Sequence, residues 1–202
     1  MRLLLFAGFL GSGKTTLILA LAGKIAARGI RSCVIVNEVG EVGIDGEVLR
    51  MGELEVKELT AGCVCCQIGT DLVLTLRELE VRFQPQIVIV EASGIAAPEG
   101  VLDVLRRYPV ETVAALETVT VVDGARFAGL YEVITPLLES QIAGADRVVI
   151  TKLDEAAPVE LRDAEAVVRR LAPDAPLYIV DATSGESLAR LLADLAPEPW
   201  GT

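Results

Sequence analysis

Gly8-Phe9-Leu10-Gly11-Ser12-Gly13-Lys14-Thr15 follows the aliphatic run Arg2–Ala7 and leads into a helical pattern that reaches about Arg28. It satisfies the Walker A phosphate-loop pattern at every position, in the strand-then-helix context that the pattern requires. The glycines allow a tight turn with backbone N–H groups facing a phosphate, and the helix that starts there adds the positive end of its dipole. Lys14 supplies a point charge for the β- and γ-phosphates, and Thr15 a hydroxyl for Mg²⁺. The candidate nucleotide contacts of this segment are Gly11, Ser12, Gly13, Lys14, Thr15 and Thr16, with Lys14 and Thr15 also candidate catalytic residues.

Further strand-like runs lie at Ser32–Val36, Ile87–Val90, Thr118–Val122, Arg147–Ile150 and Leu177–Val180. Helical patterns separate them, at about Asp71–Phe83, Pro98–Pro109, Tyr131–Ala143, Val159–Leu171 and Ser187–Leu195. This alternation predicts an α/β, doubly wound, mostly parallel sheet of the P-loop NTPase type. Aromatic residues are only 4% against 52% hydrophobic overall, so the core must be built from Ala, Val, Leu and Ile, as buried parallel strands are. The 202 residues suit one domain, 1–202, with no interdomain linker or repeat. Glu38–Leu59 is the longest stretch without clear periodicity. It is rich in glycine and carboxylates and is a candidate switch.

A phosphate loop works with an acidic residue at the end of a neighbouring strand. Ile87-Val88-Ile89-Val90-Glu91 offers Glu91 to Mg²⁺, directly or through water, and the Gly94 amide is placed to sense the γ-phosphate. The rival reading is a strand that ends in a solvated carboxylate. After the run Arg147–Ile150 comes Thr151-Lys152-Leu153-Asp154, a variant of the guanine motif Asn-Lys-x-Asp. The Asp154 carboxylate can accept from both guanine N1–H and the exocyclic amine. At ~1.5–3 kcal/mol per charge-assisted bond this discriminates against adenine by roughly 10²–10⁴. Lys152 lays its stem along the base, and Thr151 replaces the usual Asn with a hydroxyl. Adenine or mixed specificity is the alternative. Ala182-Thr183-Ser184-Gly185 is a further candidate to close over the base, through Thr183.

Three of the four cysteines fall in Gly62-Cys63-Val64-Cys65-Cys66. Cysteines one residue apart do not easily form an unstrained disulfide. Three thiols in a turn can converge on one cation and favour Zn²⁺, Co²⁺ or Cu(I). A fourth donor would be water, a carboxylate such as Glu38 or Glu41, or a group from a second subunit, since the chain has no histidine. Core packing and a redox or iron–sulfur role are the competing readings of Cys63, Cys65 and Cys66. Cys33, inside an aliphatic strand, reads as a small buried hydrophobe.

The formal net charge of -11 repels nucleic-acid phosphates and anionic lipid, so neither is an expected partner. No apolar run reaches the roughly 20 residues of a membrane span. Met1–Leu10 runs straight into the glycine loop and reads as a strand, not a signal peptide, which together with the clustered thiols points to the cytoplasm.

Taken together, Gly8–Thr16, Asn37-Glu38-Val39-Gly40-Glu41-Val42-Gly43-Ile44-Asp45, Gly62–Cys66, Glu91-Ala92-Ser93-Gly94, Val121-Val122-Asp123 and Gln141–Asp146 leading into Thr151–Asp154 resemble the CobW/HypB/UreG family of P-loop GTPases, in particular its CobW-like branch. The resemblance implies a SIMIBI-type G domain that binds GTP and GDP with Mg²⁺ and hydrolyses GTP. It also implies a role in metal delivery or in metallocentre or cobalamin-related assembly, with a client metalloenzyme or cofactor-assembly protein as partner. In that reading Cys63, Cys65 and Cys66 hold Zn²⁺ or Co²⁺. Glu38–Asp45 is a switch that brings Asp45 to Mg²⁺ or the γ-phosphate, and a nucleotide-dependent homodimer is expected by analogy. Asp123 matches a family position but reads equally well as a strand-end helix cap. CobW-like proteins usually carry a C-terminal domain and often a histidine-rich stretch, so the sequence is expected to be a minimal member or to rely on a separate partner. No residue stands out as an arginine finger or positioned base, so unaided turnover is expected to be slow. The rival functions are a non-metal regulatory GTPase gating cofactor loading of a corrinoid enzyme, and a redox-responsive ATPase.

Overall fold

The computed structural model describes residues 1–36, 49–51, 54–58, 65–95, 98–181 and 187–197, of which 49–51, 54–58 and 65–70 are described by their backbone. Its strands are β1 (Arg2–Ala7), β2 (Ser32–Val36), β3 (Leu49–Met51), β4 (Leu54–Glu58), β5 (Ile87–Glu91), β6 (Ala115–Asp123), β7 (Arg147–Thr151) and β8 (Leu177–Ile179). Its helices are α1 (Lys14–Ala27), α2 (Cys65–Arg82), α3 (Pro98–Arg107), α4 (Phe127–Ala143), α5 (Pro158–Leu171) and α6 (Ser187–Leu195). The strands form one sheet in the order β3-β4-β2-β5-β1-β6-β7-β8. Every pairing is parallel except β3 with β4, so the expected doubly wound, mostly parallel sheet is what the chain forms.

The two-residue period of a strand divides β1 between two cores. Leu4 and Phe6 join Leu17, Ile18, Leu21 and Ile25 of α1 and Leu188, Leu191 and Leu192 of α6 on one face. Leu3 and Leu5 face the other way, onto Leu72, Leu76 and Leu79 of α2 and Leu105 of α3. Farther along that second face, Val122, Val148 and Ile150 meet Phe127 and Ile142 of α4 and Ala164 and Val168 of α5. Each fully buried Leu or Ile contributes about 1.5–3 kcal/mol, so α1, flat against the centre of the sheet, is held by packing and not by propensity. It stops at Arg28 and Gly29, whose N–H groups bond the carbonyls of Ile25 and Ala26, with Gly29 at φ 75°.

Three differences from the sequence reading stand out. The stretch 38–59, expected to lack regular structure, contains β3 and β4 at the sheet edge. Leu54-Glu55-Val56-Lys57-Glu58 does alternate apolar and charged residues, a half-buried strand signal masked by its glycine-rich surroundings. The second helix begins at Cys65, not Asp71. The fourth begins at Phe127, not Tyr131, and is interrupted at Ile134, two residues before Pro136, where the missing N–H breaks the ladder. The sheet brings the carboxyl ends of β1, β5, β6 and β7 to one edge. That edge is where ligands bind in open α/β sheets.

Candidate functional site

At the end of β1 the backbone crosses β6 so closely that a Cβ on Gly8 would lie 2.1 Å from the Val121 carbonyl oxygen, and Gly8 itself has φ 133°. Only glycine fits there. Gly11 and Gly13 are also left-handed, at φ 73° and 84°, and Gly13 is the residue from which α1 starts. The loop is closed by Ser12 N–H donating to Phe9 O at 3.2 Å. The first N–H groups of a helix have no partner within it and are open to a ligand.

Lys14 is buried, and its ammonium donates to Gly8 O at 2.9 Å and Phe9 O at 3.2 Å. Burial lowers its pKa, and the nearby negative charge of Glu91 partly opposes that. Thr15 Oγ1 lies 2.9 and 3.0 Å from the two Glu91 carboxylate oxygens. Glu91 is paired in register with Phe6 on one side and Val36 on the other, and is only 8% exposed. The solvated strand-end carboxylate is therefore not what forms. A hydroxyl and a carboxylate in contact form the oxygen donor set that suits a hard cation such as Mg²⁺. Ser12 Oγ is buried and has no hydrogen-bond partner among the described residues. With the half-capped ammonium and the open helix start, this leaves donors for an anion, and a polyphosphate fits. A Cβ on Gly94 would meet Leu10 N at 2.7 Å, so Gly94 backs directly onto the loop. Gly11, Thr15 and Thr16 are exposed at its mouth.

The base motif is tied to the same loop. Thr151 Oγ1 donates to Ser12 O at 2.7 Å and lies 3.2 Å from Val122 O, so its hydroxyl does the buttressing expected of an Asn amide. Lys152 adopts φ 61°, an uncommon conformation for a residue with a side chain. It is held there by the N–H groups of Glu155 and Ala156, which bond its carbonyl, and by ion pairs of Nζ with Asp123 at 3.1 Å and Glu155 at 3.5 Å. Asp154 follows, exposed in the turn.

Asp123, which sequence reasoning left between two roles, is almost fully buried. Oδ1 accepts from Ala125 N–H at 3.1 Å and Arg126 N–H at 3.0 Å, which holds the turn before α4; the N-cap of that helix is Arg126, so Asp123 is not the helix cap. Oδ2 accepts from Arg126 Nε at 2.6 Å and pairs with Lys152. Burial alone would push its carboxyl pKa up, but the Arg126 side chain, the Arg126 N–H and Lys152 outweigh it and hold the pKa below the usual value. Arg126 was not singled out from the sequence. Its Nη2 donates to Leu10 O at 3.1 Å and lies 2.8 Å from where a Cβ on Gly11 would sit.

Asp45, Cys63, Thr183 and the segment Glu38–Asp45 lie outside the described residues. Cys65 and Cys66 are described by backbone only, as the first two residues of α2. Among the described residues no group of three or more His, Cys, Asp or Glu side chains is arranged to hold a metal ion. Cys33 is buried among the aliphatic residues of the core, as expected. No helix among the described residues is long and apolar enough to cross a membrane.

Fold and site together define a P-loop nucleotide-binding domain. Residues 2–179 match the model of the CobW/HypB/UreG nucleotide-binding domain, and the chain belongs to that family. A zinc chaperone CobW of Sinorhizobium is 32% identical over 217 residues, covering 93% of this chain and 60% of the relative. The zinc chaperone YeiR of Escherichia coli is 34% identical over 155 residues, covering 76% of this chain and 47% of the relative. The chain thus spans about 60% or less of the length of these relatives. Among solved structures, Zn(II)-bound YjiA GTPase of Escherichia coli superposes with a TM-score of 0.69 at 24% identity, covering 92% of this chain and 58% of that one. HypB of Helicobacter pylori in complex with nickel gives 0.67 at 17% identity, covering 96% and 85%. These last two likenesses speak to the fold.

Proposed function

We propose that this chain is the GTP-binding and GTP-hydrolysing domain of a metallochaperone that delivers a transition metal, zinc before cobalt, to a client metalloenzyme or cofactor-assembly protein. The observation that carries the reading is the convergence of Lys14, Thr15 and Glu91 with Thr151–Asp154 at one sheet edge, in a family whose similar members are named zinc chaperones.

Gly11, Ser12, Gly13 and Thr16 line the phosphate loop, and their backbone N–H groups, with the Lys14 ammonium, neutralise and orient the phosphates. Thr15 and Glu91 are the residues that would hold Mg²⁺, which when bound supplies charge neutralisation on the phosphate oxygens. Gly94 and Asp45 flank the γ-phosphate, and the Glu38–Asp45 segment is the switch that responds to its loss. Asp154 and Lys152 read guanine over adenine, with Thr183 closing over the base. Asp154 accepts from the two guanine donors, and the left-handed turn at Lys152 keeps the lysine stem against the base plane. Turnover unaided by a partner is slow.

Cys63, Cys65 and Cys66 form the cargo site. Cys65 and Cys66 are the first two residues of α2, and Cys63 lies two residues before it in the sequence. A nucleotide-dependent homodimer in the cytoplasm is the assembly this reading expects.

The test is a zinc titration of the chain against a competing chelator in the GDP and GTP-analogue states, with GTP and ATP affinities alongside. Zinc affinity should differ between the two states by about 5- to 150-fold, the range of ordinary allosteric coupling. It should collapse in the triple Cys63→Ser, Cys65→Ser, Cys66→Ser variant, while GTP binding persists. Equal zinc affinity in both states, or equal ATP and GTP affinity, overturns the corresponding half of the proposal.

A further inference from the structure

Four groups form a continuous polar chain across the mouth of the site. The Leu10 carbonyl accepts from Arg126 Nη2, Arg126 Nε donates to Asp123 Oδ2, and the same oxygen pairs with Lys152 Nζ. One end is the crest of the phosphate loop and the other is the turn that presents Asp154. The midpoint is anchored, because Asp123 is 1% exposed at its side chain and is pinned by two backbone N–H groups. Arg126 is also fixed relative to the sheet. Gly124, two residues earlier, donates to Thr151 O at 3.1 Å, where a Cβ would lie 2.8 Å from that oxygen.

We infer that Arg126 is a positioning residue that couples the two halves of the nucleotide site, so that seating the base stiffens the phosphate loop and seating the phosphates stiffens the base turn. The inference rests on the proposed reading of Gly8–Thr15 as the phosphate loop and Thr151–Asp154 as the base motif. The guanidinium is the element able to span the gap, because its Nε and Nη2 point to different partners from one rigid plane. It acts through Leu10 O and Asp123 and makes no nucleotide contact of its own. When Arg126 is removed, the other hydrogen bonds of the two loops remain, including the direct link of Thr151 to Ser12. Ser12 O retains Thr151, and Lys152 retains Asp123 and Glu155. What is lost is the second tie between the loops, the one that joins the loop crest at Leu10 to the Lys152 turn, and this matters most to a ligand that touches both loops.

The experiment measures affinities of the full chain, with Mg²⁺, for GDP and for inorganic pyrophosphate, in the parent and in Arg126→Ala, Lys152→Ala and the double variant. Arg126→Ala should weaken GDP about tenfold, the equivalent of about 1.4 kcal/mol, and leave pyrophosphate within about twofold. The double variant should lose little more GDP affinity than the worse single variant, because both substitutions break one chain. Arg126→Gln retains an amide donor for Leu10 O and serves as the second variant should alanine fail to fold. It should fall between parent and alanine for GDP. Equal weakening of GDP and pyrophosphate would mean that Arg126 touches phosphate or supports the fold, and would overturn the coupling. So would unchanged GDP affinity, or a double variant whose loss is the product of the singles. A parent chain that binds neither ligand would instead overturn the nucleotide-site reading beneath it.

Discussion

Replacing Asp123 by Asn keeps the size and one acceptor oxygen but exchanges a buried negative charge for an amide. Asn can still accept from Ala125 and Arg126 N–H. Its –NH₂ must then face Arg126 Nε and Lys152 Nζ, which now meet a donor where they met a carboxylate. Breaking a fully buried ion pair from one side costs about 3–5 kcal/mol. Here the cations are not fully buried. The Arg126 side chain is 47% exposed and that of Lys152 24%, so both regain water when the carboxylate goes. The discounted expectation is a loss of about 2 kcal/mol, or about 4–8 °C in Tm for a chain of this size. The pH dependence is a sharper test. A carboxyl whose pKa is lowered on folding stabilises the fold at every pH above its unfolded value, near 4, and loses that contribution as pH falls through the folded value. Urea denaturation of both proteins should therefore show a constant gap from about pH 8 to 5.5 that narrows below about pH 4. A gap under about 0.5 kcal/mol at pH 7, or one that already varies between pH 8 and 5.5, would refute the assignment of Asp123 as an ionised hub.

Thr151→Val removes the hydroxyl that satisfies the Ser12 carbonyl and should lower stability by about 1–3 kcal/mol, whereas Thr151→Ser should cost less than half of that; thermal melting separates them. Gly8→Ala should lower stability by about 3 kcal/mol or more, since a left-handed φ and a 2.1 Å approach to a strand carbonyl must both be relieved, and a variant with parent-like urea midpoint would show that β1 and β6 are not so closely apposed. Glu91→Gln can still accept from Thr15 but drops one charge, so the Mg²⁺ concentration for half-maximal GTP binding should rise about tenfold while binding without Mg²⁺ changes little. Equal Mg²⁺ dependence in parent and variant would remove Glu91 from the metal's ligands.

What could be read from the sequence here was what is local in sequence. The phosphate loop is one contiguous octapeptide whose chemistry demands particular residues at fixed spacing, and the central strands are uninterrupted aliphatic runs. β3 and β4 escape the sequence reading because β3, the edge strand, is only three residues long and β4 alternates apolar and charged residues instead of presenting a long apolar run. α2 starts six residues before the apolar periodicity that marks it, because Cys65-Cys66-Gln67-Ile68-Gly69-Thr70 carries a glycine and, apart from Gln67, weak helix formers.

Arg126 shows the other limit. Its partner Leu10 is 116 residues away, and nothing in Val122-Asp123-Gly124-Ala125-Arg126 announces a phosphate-loop contact. The contact follows from strand order. β6 lies directly beside β1, with Ala7 opposite Thr120, so the residues that continue from their carboxyl ends emerge as neighbours. β7 follows on the outer side of β6, with Asp123 opposite Thr151, which brings Lys152 within reach of the same carboxylate. An acidic residue at the end of the middle strand of this trio is therefore the point from which both flanking loops can be gripped at once. Its ambiguity in the sequence, helix cap or functional residue, dissolves once the strands are ordered, because Asp123 holds the turn that leads into α4 and so presents Arg126, itself the N-cap residue, to the phosphate loop.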